Sequence, residues 1–203
     1  DLHRVDRLQR QMCIRDRSRL MGIPTLIKTL TATDDSSLTF ADGGSSVVFD
    51  NTYDEYMFVC TDIGPATGGT NFTFQFNAAG GSGFNETITS TYFVAYVEEN
   101  GASGTFGYGS GFDQAQGTAY QPLLDAAGNG SDESVSGILS VYSPSSTTYV
   151  TNFLARFHTY HGSDLAVSAF TGGYVNATAA VDEIDFKFSS GNFDGVIQMF
   201  GIA

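Results

Sequence analysis

The sequence predicts an all-β fold, an antiparallel β-sandwich of about ten strands in a jelly-roll-like arrangement, and three observations carry that prediction. Apolar residues recur with period two along most of the chain, the mark of strands rather than helices. Aromatic residues make up 13% of the chain, with 17 Phe and 10 Tyr, side chains that fit a pleated, half-buried surface. Turns are punctuated by glycine, 24 Gly against 4 Pro, as in sandwiches and barrels with many tight connections. No stretch reads as helical and neither a linker nor a repeat period is visible, so residues 21–203 are expected to form one sandwich domain.

In chain order, Leu38 with Phe40 and Val47 with Phe49 predict two short strands about an Asp42-Gly43-Gly44 turn. Residues 53–63 predict a long central strand, because both faces are apolar: Tyr53, Met57, Val59 and Ile63 on one, Tyr56, Phe58 and Cys60 on the other. Phe72, Phe74 and Phe76 alternate with Thr73 and Gln75, the pattern of a half-buried strand. Tyr92 to Val97 reads as another strand, and the glycine-rich residues 100–117 after it as a flexible loop. Val135, Leu139 and Val141 alternate with Ser134, Ser136 and Ser140. In residues 148–160, Tyr149, Phe153, Ala155 and Phe157 share one face, and Asn152, Leu154, Arg156, His158 and Tyr160 the other. Ile184, Phe186 and Phe188 face inward against Asp185, Lys187 and Ser189, and Val196 to Ile202 forms a last apolar strand.

Charge is unevenly placed. Six of the nine basic residues lie in residues 1–20, which leaves Lys28, Arg156 and Lys187 against nineteen acids in residues 21–203, a formal charge of −16. Such a surface repels phosphate backbones and argues against nucleic-acid binding. No apolar run approaches the roughly 20 residues of a membrane span, so no membrane insertion is expected. Cys60, within the apolar run Met57-Phe58-Val59-Cys60, reads as a buried structural thiol. The stretch Met12-Cys13-Ile14-Arg15-Asp16-Arg17 resembles a translated transposon end from a sequencing library. Residues 1–20 are therefore expected to be a foreign segment, with Met21 as the natural start and no signal peptide after it.

The chemistry-bearing residue types do not assemble into a reaction centre by spacing. His158 and His161, three apart on a strand, point to opposite faces, which suits neither a triad base nor a shared metal. The carboxylate pairs Asp34-Asp35, Asp54-Glu55, Glu98-Glu99, Asp132-Glu133 and Asp182-Glu183 are sequence neighbours that point apart, unlike glycosidase acids set across a cleft. No catalytic residue and no cofactor is expected. The loop bearing Asp125, Asn129, Asp132 and Glu133 is the nearest approach to a calcium cage, although it departs from the EF-hand pattern at its third and twelfth positions. Arg156, the one arginine of residues 21–203, shares a strand face with His158 and Tyr160 and marks a candidate partner or ligand face. A nearby carboxylate of the same chain is its expected partner; the alternative is a carboxylate of another molecule.

Four segments carry a family resemblance. Ile184-Asp-Phe-Lys-Phe-Ser-Ser-Gly191-Asn192-Phe193-Asp-Gly195 and the aromatic-Gly-Ile ending Phe200-Gly201-Ile202 resemble the closing strands of tailed-phage virion structural and tail-associated β-sandwich proteins. Three further stretches resemble the same family: Tyr53-Asp-Glu-Tyr56 with Asp62-Ile63-Gly-Pro65, Gly128-Asn-Gly130-Ser-Asp-Glu133, and Tyr142-Ser-Pro144 through Tyr149. The resemblance implies a non-enzymatic virion protein, made in the host cytoplasm, of the tail tip, the fibre or the head decoration. Its implied partners are other virion proteins and itself, as a closed homo-oligomer such as a trimer. A rival expectation is a lectin-like host-recognition module that binds surface glycan through Tyr, Asn and Asp of residues 100–117, since the fold serves both.

Overall fold

The computed structural model describes residues 22–203, so the reading of residues 1–20 lies outside the described residues. Thirteen strands form: β1 (Thr25–Asp35), β2 (Leu38–Ala41), β3 (Glu55–Pro65), β4 (Thr70–Ala78), β5 (Ile88–Glu98), β6 (Gly104–Tyr108) and β7 (Ala115–Gly117), then β8 (Gln121–Ala127), β9 (Val135–Tyr142), β10 (Asn152–His161), β11 (Leu165–Val175), β12 (Val181–Phe188) and β13 (Phe193–Ile202). Nine of them build one antiparallel sheet in the order β1-β13-β3-β9-β10-β11-β5-β6, with β7 also paired to β5. The other four build a smaller sheet, β2-β12-β4-β8. The chain passes back and forth between sheets, β2 to β3 to β4 to β5, then β8, β9–β11, β12 and β13. The order β1-β13-β3-β9 facing β2-β12-β4-β8 is jelly-roll strand order, and the large sheet is extended beyond β9 by β10, β11, β5 and β6. The predicted sandwich is therefore the observed fold, with more strands than the sequence reading resolved.

Phenylalanine fills the space between the sheets. On the small sheet, β4 turns Phe72, Phe74 and Phe76 inward and β12 turns Ile184, Phe186 and Phe188 inward, all essentially buried. Phe186 is the hub: its ring lies 5.4 Å from Phe58, 6.1 Å from Phe72, 6.3 Å from Phe40 and 6.4 Å from Phe74. From the large sheet, Phe153 meets Phe74 edge-on at 5.1 Å and Phe157 meets Phe72 at 5.8 Å. Edge-to-face pairs of this kind add about 0.5–1.5 kcal/mol each beyond the area they bury. Gly137 on β9 is fixed by the same packing, because a Cβ there would come within 2.5 Å of the Phe157 ring.

Several local expectations are corrected. Ile63 points inward with Tyr56, Phe58 and Cys60, because a bulge between Cys60 and Ile63, with Asp62 at φ 51°, shifts the alternation by one. Val47 and Phe49 are buried in an irregular segment, where the Gly43 amide bonds the Val47 carbonyl, and form no second strand. Tyr149 precedes β10 and is 75% exposed, not part of the inward face. The outward side chains of β4 are not solvated either: Gln75 is buried and donates to the Thr118 and Ala119 carbonyls, and the buried Thr73 hydroxyl donates to the Lys187 carbonyl. The glycine-rich residues 100–117 contain β6 and β7, paired to β5, where a flexible loop was expected. The small sheet's outward Asp185 is likewise covered, accepting hydrogen bonds from Thr39 Oγ1 at 2.6 Å and Tyr120 Oη at 2.9 Å.

Candidate interaction face

The small sheet covers one side of the large sheet, and the other side is open. Strand alternation and register place the outward side chains in rows that cross the strands. One row runs Phe93, Phe170, Arg156, Ile138, Val59 and Gln198. The next runs Thr91, Gly172, Leu154, Ser140, Met57 and Phe200. A third runs Thr89, Tyr174, Asn152, Tyr142, Glu55 and Ile202. In these three rows the charged residues are Arg156 and Glu55 alone, within a body of charge −16. Leu154 is 58% and Ile138 43% exposed, so large apolar side chains meet water here.

The face has relief. Gly172 offers no side chain between Thr91 and Leu154, and a hollow of about 390 Å³ opens there, lined by Phe93, Phe170, Leu154, Ile138 and Arg156 among others. Phe93 stacks on Phe170 at 5.0 Å and 10°, and Phe106 of β6, 70% exposed, closes edge-on to Phe93 at 5.6 Å. An intrachain carboxylate was the expected partner of Arg156, and the structure sets an aromatic ring beneath it. Its guanidinium lies over the Phe170 ring, 5.7 Å from the centroid, a cation–π contact at the border of the hollow.

The remaining sequence-predicted residues fall as follows. His158 and Tyr160 stand on the same outward face of β10 as Arg156. His158 Nδ1 lies 3.0 Å from Ser168 Oγ, and Tyr160 donates to Asp164 at 2.9 Å, which holds the phenol up at about 12. His161 Nδ1 accepts from the Ser163 amide at 3.1 Å, local turn bonding. The calcium candidates do not converge. Asp125 accepts from the Tyr92 hydroxyl at 2.7 Å, Asn129 donates to the Ala66 carbonyl at 3.3 Å, and Glu133 accepts from the Gly130 amide inside its own turn, with Asp132 exposed beside it. Among the described residues, no three His, Cys, Asp or Glu side chains gather as metal ligands. Cys60 is buried as expected, and burial pushes its thiol well above the usual range, away from thiolate chemistry. Among the described residues no helix is long and apolar enough to cross a membrane.

No family model and no curated protein matches this chain. A solved structure of a Bacteroides ovatus protein of unknown function is similar at a TM-score of 0.28 and 4% identity, over 49% of this chain and 45% of that one. The chain thus spans less than half the length of that protein.

The open face escaped the sequence reading for a physical reason. Met57, Val59, Phe93, Phe170 and Phe200 occur in strands apolar on both sides, which in sequence resemble strands covered on both sides. One signal was present: Leu154, Arg156, His158 and Tyr160 alternate with a clearly apolar partner face, which exposes the outward side of β10.

Proposed function

We propose that this chain is a non-enzymatic structural protein of a tailed-phage particle, acting through protein–protein contacts made by the outer face of the large sheet. The observation that carries the reading is that face: broad, apolar, and nearly free of charge on an otherwise strongly acidic protein. Exposed apolar areas of several hundred Å² on a folded domain mark contact surfaces. Depletion of charge is the compositional signature of an interface core. The phage assignment is supported by the four resembling segments, which fall on β3, the β8–β9 connection, the β9–β10 connection and the β12–β13 passage from the small sheet to the large one. Quantitative mass spectrometry of purified particles from a phage encoding this chain tests it. Recovery at a fixed copy number beside the other structural proteins is the expected result. Absence from the particles would contradict the reading.

One observation favours the lectin reading as a second. On β6 the exposed Tyr108 donates to Asp113 at 2.6 Å beside exposed Phe106, an aromatic platform next to an acceptor. Saturable binding on a glycan array that is lost in Tyr108→Ala would transfer the assignment to it.

A further inference from the structure

We propose that the outer face of the large sheet docks a second copy of this chain, face to face. The inference rests on the assembly reading and names the partner. Electrostatics select a copy of the chain. With nineteen acids against three bases in residues 21–203, two copies meeting elsewhere bring carboxylate against carboxylate. In the three rows that begin at Phe93, Thr91 and Thr89 a copy meets one acid and one base, Glu55 and Arg156, so this part of the surface is neutral and its own complement. Identical faces that pair do so about a two-fold axis, which presents each protomer's Arg156 to a surface carrying the other's Glu55.

Size agrees. The three rows cross six strands, β13 to β5, at about 4.8 Å spacing and extend about 20 Å along them, so they offer on the order of 600 Å², at the lower end of the share that each partner gives to a stable interface. Relief agrees as well. The hollow above Gly172 is lined by apolar side chains with Arg156 at its border, suited to an apolar knob such as the other copy's Phe200 or Met57 rather than to a hydroxyl-rich sugar. Arg156 lies with its guanidinium over Phe170 at the border of the hollow, which places its donors where the contact forms.

Sedimentation equilibrium of the full chain, from low-micromolar to sub-millimolar concentration, tests the proposal. Dimers are expected, with Ile138→Asp and Leu154→Lys each weakening self-association by about 100-fold or more, as buried interface positions do. Both side chains are exposed in the single chain, so thermal melts of the two variants should stay close to the parent and separate lost contacts from lost folding. Arg156→Glu should weaken the dimer by about tenfold or more, and adding Glu55→Lys should recover most of that loss. A monomer at every concentration, or a dimer indifferent to Ile138→Asp and Leu154→Lys, overturns the proposal. If the chain is monomeric while those variants are excluded from phage particles, the partner is another particle protein and the assembly reading stands. If they enter particles normally as well, both fail.

Discussion

Phe186 and Lys187 are adjacent in sequence and on opposite pleats of β12, and their energetics should differ accordingly. Phe186 is fully buried among four phenylalanine rings, so Phe186→Ala should cost about 3–5 kcal/mol in denaturant titration. Lys187 rests its ammonium 3.8 Å from the Tyr120 ring centre, and Lys187→Ala should cost only about 0.5–1 kcal/mol. Equal losses would mean that the register of β12 is wrong by one residue. Tyrosines give the chain an alkaline limit. Burial, then the Asp125 carboxylate, raises the phenol of Tyr92, and burial with Asp50 raises that of Tyr56. Both are neutral in the fold above the pH where the unfolded chain ionises them, near 10. Their stabilisation is complete below that pH and is lost as pH rises beyond it. Melting temperature should begin to fall near pH 9, where the unfolded chain ionises Cys60, and fall steeply above pH 10 as the tyrosines join it; a flat profile to pH 11.5 would show these groups to be solvated.

At the level of elements, the sequence discloses strands whose faces differ and conceals those whose surroundings decide. β9, β10 and β12 are legible because polar and apolar residues alternate cleanly. β6 and β7 are not, since glycine gives no periodicity and their pairing to β5 is a long-range event. Buried amides hold that region in place. Gln75 Nε2 lies within 2.8–3.2 Å of the Glu86, Thr118 and Ala119 carbonyls, and Gln121 Oε1 accepts from Ser90 Oγ at 2.6 Å. Nothing in a lone Gln between phenylalanines announces such a clasp. Gln75→Leu strands those carbonyls without a donor and should cost about 2–3 kcal/mol, with amide exchange accelerating first in residues 112–120. Uniform acceleration over the whole chain would argue against a locally anchored segment.

For the whole molecule, the fold class was readable, whereas the pairing of the strands and the open face of the large sheet were not. Periodicity reports which residues avoid water within a strand, whereas the open face follows from the size difference between the sheets, nine strands against four. Arg156, His158 and Tyr160 did fall on that face, as their spacing on β10 required. Their neighbours across it, Phe93, Phe170, Ile138 and Met57, come from four other strands, and only topology unites them. The account stands on the claim that this face is where the chain makes its protein contacts. Hydroxyl-radical footprinting of the dilute chain and of phage particles containing it measures that claim directly. The account predicts that Met57, Ile138, Leu154 and Phe170 are reactive in the dilute chain and protected in particles, while Tyr149, exposed in the β9–β10 connection and outside the three rows, reacts alike in both. Equal reactivity of the four face residues in the two states, with protection appearing elsewhere, would contradict it.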